Sequence, residues 1–503
     1  MEKETNGGTN SANGKDKLLN GKGPEESNNE LELGGSQESV RLKREVTLLG
    51  GISVIVGSMI GSGIFISPVG VLKNVGSVGA SLIVWLCCGL VATCGSLTYA
   101  ELGTMIPKSG AEYPYLLEAF GPIPAFLFVW TSSIVLKPSA VGIIGLVFGE
   151  YLIRPFFPNC DEIPTLAIKL ASACCICLVT FINCYSMKVA QGMQIVFTIA
   201  KIGALGVIIV AGAVALGLGY TDNMETAFSS EMKFSTIGTA FYQGLWAFDG
   251  WNQLNYITEE LQNPYVNLPR AIMIGIPFVT GIYLLTNIAY CSALTMVELL
   301  GSRAVAVTFG IKMLGVMSWV IPLGVAISTF GGVNGYTITG PRIIYSAARN
   351  GHTPDILAMV NVKRITPVPA ILFNSLIAIL VTIPNDFDSL VNYFSFAMWL
   401  FHGSSAVALL YMRWKMPDRA RPYKVPVFVP ILVVIFATFL VFYPIVSNPA
   451  WEYFYAALFI VSGLIFYFPF IYYKVKVPCS AYVTRFLQKI LMVVPSAETS
   501  KIS

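Results

Sequence analysis

The chain has 503 residues, 55% of them hydrophobic and only 12% charged, with a mean hydropathy of +0.67. A soluble globule carries about twice that charged share, so the composition is that of a polytopic membrane protein. The net charge of +4 is small and arises from loop asymmetry, which points to no nucleic-acid partner.

Residues 1 to 44 are mostly Gly, Asn, Ser, Lys and Glu with almost no aromatic content, too polar to bury a core, and are expected to be a disordered tail. No apolar core of a cleaved signal peptide is seen there, so the first spanning segment is expected to direct insertion. From about residue 47 apolar runs recur, each near the roughly 20 residues a helix needs to cross a bilayer. Twelve are predicted, near 47–70, 79–104, 123–153, 165–184, 190–218, 236–257, 269–294, 315–345, 368–383, 389–412, 426–446 and 452–473. The chain therefore reads as an all-α membrane domain over 45–475 between tails over 1–44 and 476–503.

Loop charge sets the orientation. Arg41, Lys43 and Arg44 precede the first span, Lys188 lies between the fourth and fifth, and Arg342, Arg349, Lys363 and Arg364 follow the eighth. Arg413, Lys415, Arg419, Arg421 and Lys424 follow the tenth, and Lys474, Lys476, Arg485 and Lys489 follow the twelfth. The alternate loops, Thr221 to Lys233 and Ile383 to Ser389, are acidic or nearly neutral, so both termini are expected in the cytoplasm.

Two apolar runs are broken by glycine and polar residues: Gly57-Ser58-Met59-Ile60-Gly61-Ser62-Gly63-Ile64-Phe65 and Trp246-Ala247-Phe248-Asp249-Gly250-Trp251-Asn252. In hydrocarbon an unpaired backbone amide costs several kcal/mol, so a span is interrupted only where it lines a cavity or is covered by protein. Breaks at corresponding places in two halves point to a transporter's solute site, although the first break taken alone also fits glycine-packed helix contact. An amino acid needs clustered amide donors for its carboxylate beside acceptors for its ammonium. Gly61, Ser62 and Gly63 would free N–H groups at the positive end of a half-helix resuming at Ile64, while carbonyls at Ile60 and around Trp246 would take the ammonium. The Trp246 ring is placed to close over the solute.

Asp249, among Trp246, Phe248 and Trp251, costs roughly 3 kcal/mol or more at mid-membrane, so it should face a partner or a ligand. A backbone-bound zwitterion leaves its charge spare for a cationic solute side chain. The other readings are a structural pair with a lysine, or a protonated core acid. Lys137 and Lys201 also lie in apolar runs; a buried ammonium can occupy the place of a metal cation, making transport independent of sodium, whereas Lys201 could instead snorkel toward the cytoplasmic interface. Glu101, Lys108, Glu112 and Glu118 surround a cytoplasmic-side connection and read as gating or packing salt bridges.

Of ten cysteines, eight (Cys87, Cys88, Cys94, Cys174, Cys175, Cys177, Cys184 and Cys291) fall within or at the ends of spans as small apolar fillers, and Cys479 is cytoplasmic. Cys160, in the loop after the third span, suggests an intermolecular disulfide or a free exposed thiol. The chain contains no Asn-x-Ser/Thr acceptor, and a glycosylated partner tied to Cys160 would account for both observations. With two histidines, His352 and His402, no metal-ligand spacing and no nucleophile arrangement, the sequence offers no enzyme site and implies no cofactor. A channel or receptor would not need paired broken spans.

The two breaks, together with Tyr99-Ala100-Glu101-Leu102-Gly103-Thr104, Gly244 to Tyr256, Thr258-Glu259-Glu260 and Leu268-Pro269, closely resemble the light chains of heteromeric amino acid transporters, over about Arg41 to Val494. The resemblance implies a twelve-span fold with an inverted five-plus-five repeat, about 47–218 and 236–412, discontinuous spans 1 and 6, and sodium-independent obligatory exchange of L-amino acids at the plasma membrane. It implies a disulfide from Cys160 to a single-span glycoprotein heavy chain, carboxylate binding at Ser62 and Gly63 beside Gly61, and ammonium binding at the Ile60 and Trp246 carbonyls. It further implies gating by Trp246, Asn252 in the sixth-span motif at the site, and Lys201 in place of a sodium ion. Asp249 with Lys137-Pro138 looks like the b(0,+) type, which exchanges cationic amino acids and cystine for neutral ones. Large-neutral exchangers have glycine at the position of Asp249, and the cystine/glutamate exchanger has arginine at that of Lys137. Ser139 and Phe248 depart from the threonine and tyrosine of the b(0,+) pattern, which bears on pocket volume and on cystine. An exchanger of large neutral amino acids with a structural Asp249 is the alternative. The segment Val483 to Pro495 reads as an amphipathic interfacial helix.

Overall fold

A computed structural model describes residues 44, 46–157, 164–228, 234–302, 304–383, 387–447, 451–475 and 480–495. The expected tail over 1–44, Arg44 apart, and both Cys160 and Cys479 lie outside the described residues. All twelve expected stretches are helical. Nine helices among the described residues are long and apolar enough to cross a membrane: Val78–Met105, Pro122–Phe156, Thr165–Tyr185, Met187–Gly217, Pro264–Ala293, Val305–Arg349, Phe394–Lys415, Phe428–Ser447 and Tyr453–Tyr472. The first stretch is a broken pair, Leu48–Met59 and Gly63–Val75, bent by 44°. The sixth, Ile237–Phe248, stops at Asp249 and resumes only as Gln253–Tyr256, and the ninth, Val368–Thr382, has 15 residues. These last two are short for an unbroken crossing.

Local chemistry explains the helix starts. The Thr47 hydroxyl accepts from Gly50 N at 3.2 Å, and Ser77 and Ser186 cap the second and fifth spans in the same way. Large apolar side chains such as Leu90, Ile199, Val210, Leu376 and Leu458 face outward, as the lipid-facing belt of a bundle requires.

At the end carrying the basic loops, carboxylates and arginines tie the spans together. Arg342 of the eighth span pairs with Glu260 after the sixth at 3.0 Å with both buried, and Arg349 meets Glu259 at 2.8 Å. Arg413 of the tenth span holds Glu101 of the second, whose carboxylate also lies 3.8 Å from Arg421, and Arg419 meets Glu118 at 3.0 Å. Glu101 and Glu118 thus form the expected salt bridges. Glu112 instead has His402 Nδ1 at 3.3 Å, away from these arginines.

Three features went unread in the sequence. A short helix, Met296–Gly301, opened by a Thr295–Glu298 capping box, precedes the Val305–Arg349 stretch, whose first part, Val305–Leu314, is a separate helix from Val320–Arg349. A turn of π-helix, Ser132–Leu136, interrupts the third span immediately before Lys137. The all-α architecture also carries one two-stranded antiparallel sheet, β1 Met359–Asn361 with β2 Val493–Pro495. The strand pair docks the amphipathic helix Ser480–Leu491 onto the connection between the eighth and ninth spans. Leu487, Leu491 and Val493 pack there against Ile356 and Met359, while Tyr482, Phe486 and Ile490 stay exposed.

Candidate functional site

The first break begins where the helical ladder fails. Ile60 N still bonds Val56 O at 2.9 Å, but Gly61 N turns to Met59 O at 2.8 Å, leaving the Gly57 carbonyl without its usual donor four residues on. Beyond it the helix restarts at Gly63. First-turn amides have no partner inside their own helix, and no acceptor from another described element reaches those of Gly63 or Ile64. The Ser62 hydroxyl is buried with no hydrogen-bond partner, as is that of Ser58. A positive helix end, free amides and an unpartnered hydroxyl are a fitting cradle for a carboxylate.

The two breaks meet. A Cβ on Gly63 would stand 2.3 Å from Ala247 Cα, and one on Gly250, whose φ is +112°, would stand 2.9 Å from Met59 N. Only glycine permits either approach. The Tyr283 hydroxyl reaches Met59 O at 2.6 Å and Ala247 O at 2.9 Å, stapling one break to the other. Ser328 of the eighth span reaches Ile60 O and Gly61 O at 3.3 Å each, so the carbonyl expected to take a solute ammonium shares its lone pairs with this hydroxyl. The Trp246 carbonyl accepts from Asp249 N at 3.1 Å, and its ring packs edge-on against Phe394 with centroids 5.1 Å apart.

Asp249 caps the C-terminal end of Ile237–Phe248, the negative end of that helix, and is 7% exposed. Its Oδ2 accepts from the Tyr336 hydroxyl. The Lys137 ammonium, 1% exposed, has no hydrogen-bond partner; it lies 3.9 Å from the Tyr256 ring centroid and 5.6 Å from that of Tyr336. Near Tyr256 stands Glu112, wholly buried, whose Oε1 accepts from Asn252 Nδ2 at 2.8 Å and Tyr99 OH at 3.0 Å, with His402 Nδ1 3.3 Å away. Asn252 therefore supports Glu112 rather than lining the cavity beside Trp246, and its amide also meets Tyr256 OH at 3.3 Å. Ser139 is buried in the same helix as Lys137 and makes no hydrogen bond to these groups.

Lys201 is wholly buried and donates to Gly57 O at 2.5 Å, the carbonyl that the break released. It does not snorkel. Thr198, one turn earlier, reaches Ser53 O at 3.3 Å, so the fifth span grips the first half-helix at two successive turns, while Gln194 accepts from Asn334 of the eighth span at 2.9 Å. Between Trp246, Asp249, Phe394 and His402 a cavity of about 10 Å³ remains, room for roughly one water and not for an amino acid, so this conformation is closed around the site. A larger recess of about 490 Å³ opens below the first half-helix, lined by Arg44, Ser53, Lys188 and Gln194. Among the described residues no cluster of three His, Cys, Asp or Glu side chains could hold a metal ion.

This pairing of two broken spans across a closed cavity is accompanied by a match of the amino acid permease family's sequence profile to residues 47–465. The chain belongs to the amino acid permease family. It is 53% identical over 461 residues to the b(0,+)-type amino acid transporter 1 of Mus musculus, covering 91% of this chain and 94% of that one. To the large neutral amino acids transporter small subunit 2 of Mus musculus it is 44% identical over 454 residues, 90% and 85% of the two chains. To the cystine/glutamate transporter of Pongo abelii it is 44% identical over 467 residues, 92% and 93%. As a permease of this family it is a multi-pass membrane protein and an amino acid transporter, similar to light chains of heteromeric transporters. Within the permease the sequence located both breaks, Asp249, Lys137 and Lys201. It missed Tyr283, Ser328 and Tyr336, whose partners lie on other spans, and it did not foresee Asn252, Tyr99 and His402 as the neighbours of Glu112.

Proposed function

We propose that this permease is a sodium-independent antiporter that exchanges cationic for neutral amino acids by alternating access. The observation that carries the reading is a buried carboxylate, Asp249, set at the second span break and, among the described residues, bonded to the Tyr336 hydroxyl and not to an arginine or lysine. The Gly61, Ser62 and Gly63 end binds the solute carboxylate, the Ile60 and Trp246 carbonyls take its ammonium, and Asp249 takes a cationic side chain. The Trp246 ring closes the site, and Lys201 fills the place of a sodium ion by holding the Gly57 carbonyl. The b(0,+)-type name of the relatives at 50–53% identity supports this type. A heavy chain joined through Cys160, plasma-membrane residence and cytoplasmic termini complete the proposal.

A second reading draws on the Tyr336 bond to Asp249 and the nearby Lys137, which would suit a neutral exchanger with a structural carboxylate. Counter-transport of labelled arginine and leucine in sodium-free proteoliposomes separates the two. On the first reading, arginine uptake requires internal amino acid, and Asp249→Asn removes arginine exchange while leucine exchange persists. If arginine is never carried, or both solutes fall together, the neutral exchanger takes its place.

A further inference from the structure

Resting on the reading that Asp249 receives a cationic side chain, we propose that Lys137 is a resident counter-cation with two alternative partners. It faces Asp249 when the solute is neutral and retreats to Glu112 when the solute is cationic. Glu112 is in this view a specificity-determining positioning residue that touches no solute.

The placement is specific. Lys137 Nζ lies over the Tyr256 ring and near the Tyr336 ring, and those two rings lead to different carboxylates. Tyr336 donates to Asp249, whereas Tyr256 is joined through Asn252 to Glu112. The ammonium is bonded to neither acid, although both attract it. One oxygen of each side is open to change. Glu112 Oε2 is buried with no partner, and Asp249 lines the closed cavity where a solute side chain would arrive. Lysine suits such a role because its compact charge rides on a flexible four-carbon stem, and the π turn just before it loosens the local helix geometry.

Charge arithmetic supplies the reason. A carrier that returns with a neutral solute in exchange for a cationic one would expose an uncompensated Asp249 on half of its cycle, in a medium where an unpaired buried charge is expensive. With Lys137 at hand Asp249 is never alone. An arriving guanidinium or ammonium would then repel Lys137 at close range unless a second acid received it, and buried Glu112 is that acid.

KM and Vmax for arginine and leucine counter-transport, measured on the full-length chain in proteoliposomes, test the inference. Lys137→Gln should raise the leucine KM relative to the arginine KM by roughly tenfold or more, because only a cationic solute brings the missing charge. Lys137→Arg should restore the parental ratio. Glu112→Gln should move the ratio the opposite way, toward weaker arginine. A Lys137→Gln protein too unstable to assay leaves the Glu112→Gln and Lys137→Arg ratios to decide. Equal changes in both KM values, or a fall in Vmax alone, overturn the inference. Asp249→Asn is run alongside: if it spares arginine, the Asp249 reading itself fails, and if it removes arginine while the opposed KM shifts are absent, only the role given to Lys137 and Glu112 fails.

Discussion

Gly63 and Gly250 illustrate how much one missing methyl group can decide. Each brings its backbone against another backbone across the paired breaks, where no flexible side chain can yield. Gly63→Ala should therefore cost about 1–3 kcal/mol from overpacking and misplace the carboxylate cradle. A lowered thermal midpoint in detergent together with loss of leucine exchange would bear this out; an active protein of parental stability would contradict it. Lys201 acts through a single bond to Gly57 O. Lys201→Ala leaves that buried carbonyl unsatisfied, at about 1–3 kcal/mol, and should abolish exchange in a chain whose parental rate is the same with sodium or choline in the buffer. The residue types were legible because charges and glycine runs are rare in apolar helices. Which carbonyl Lys201 would meet was not, since Gly57 and Lys201 are 144 residues apart and the orphaned acceptor exists only once the ladder breaks.

At the scale of elements, the half-helices need external support because each break leaves backbone groups unpaired in an apolar setting. The sixth span is held, at the end carrying the basic loops, by the buried Arg342–Glu260 pair. Glu260→Ala should destabilise the protein by about 3–5 kcal/mol, since it strands a buried guanidinium, whereas the double change Arg342→Met with Glu260→Leu should recover most of the loss. Thermal unfolding of the three variants reads this directly. The connection after the eighth span should carry a pH response. His352 is buried beside Tyr113, 3.0 Å from its hydroxyl, and burial pushes its imidazole down to about 4. The unfolded chain then binds more protons than the folded one between about pH 4 and 6.5, so stability should fall as pH drops through that window. His352→Gln should flatten this part of the melting profile, and an unchanged slope would remove His352 from the account. Span positions were legible from apolar length, but the bends were legible only as glycine clusters. The helices Met296–Gly301 and Val305–Leu314 were masked by the apolar run that follows them.

Across the whole molecule, the C-terminal segment docks on the connection after the eighth span, with Leu487, Leu491 and Val493 covering Ile356 and Met359. Ending the chain after Cys479 should lower stability by about 2–5 kcal/mol from the lost apolar burial while leaving arginine and leucine KM values near the parental ones. A change in substrate KM would instead tie this segment to the solute site. The helix itself was readable in the sequence from its alternation of apolar and basic residues. Its anchoring strand was not: three residues pair only because β1, more than 130 positions earlier, presents a free edge.

Composition and apolar spacing were enough to establish a multi-spanning helical membrane protein, and the two glycine-polar interruptions with Asp249 were enough to mark where two helices break and meet, because a bilayer penalises such features unless protein covers them or a cavity adjoins them. The partner of each buried charge was decided by the packed bundle alone. Lys137 lies over the Tyr256 ring and near that of Tyr336, and Glu112 stands beside His402 instead of among the arginines at the end carrying the basic loops, because helices distant in sequence place them there. Periodicity along one helix fixes which face is polar, but in a fully buried span every face meets protein, and only tertiary contact selects what each charge will see.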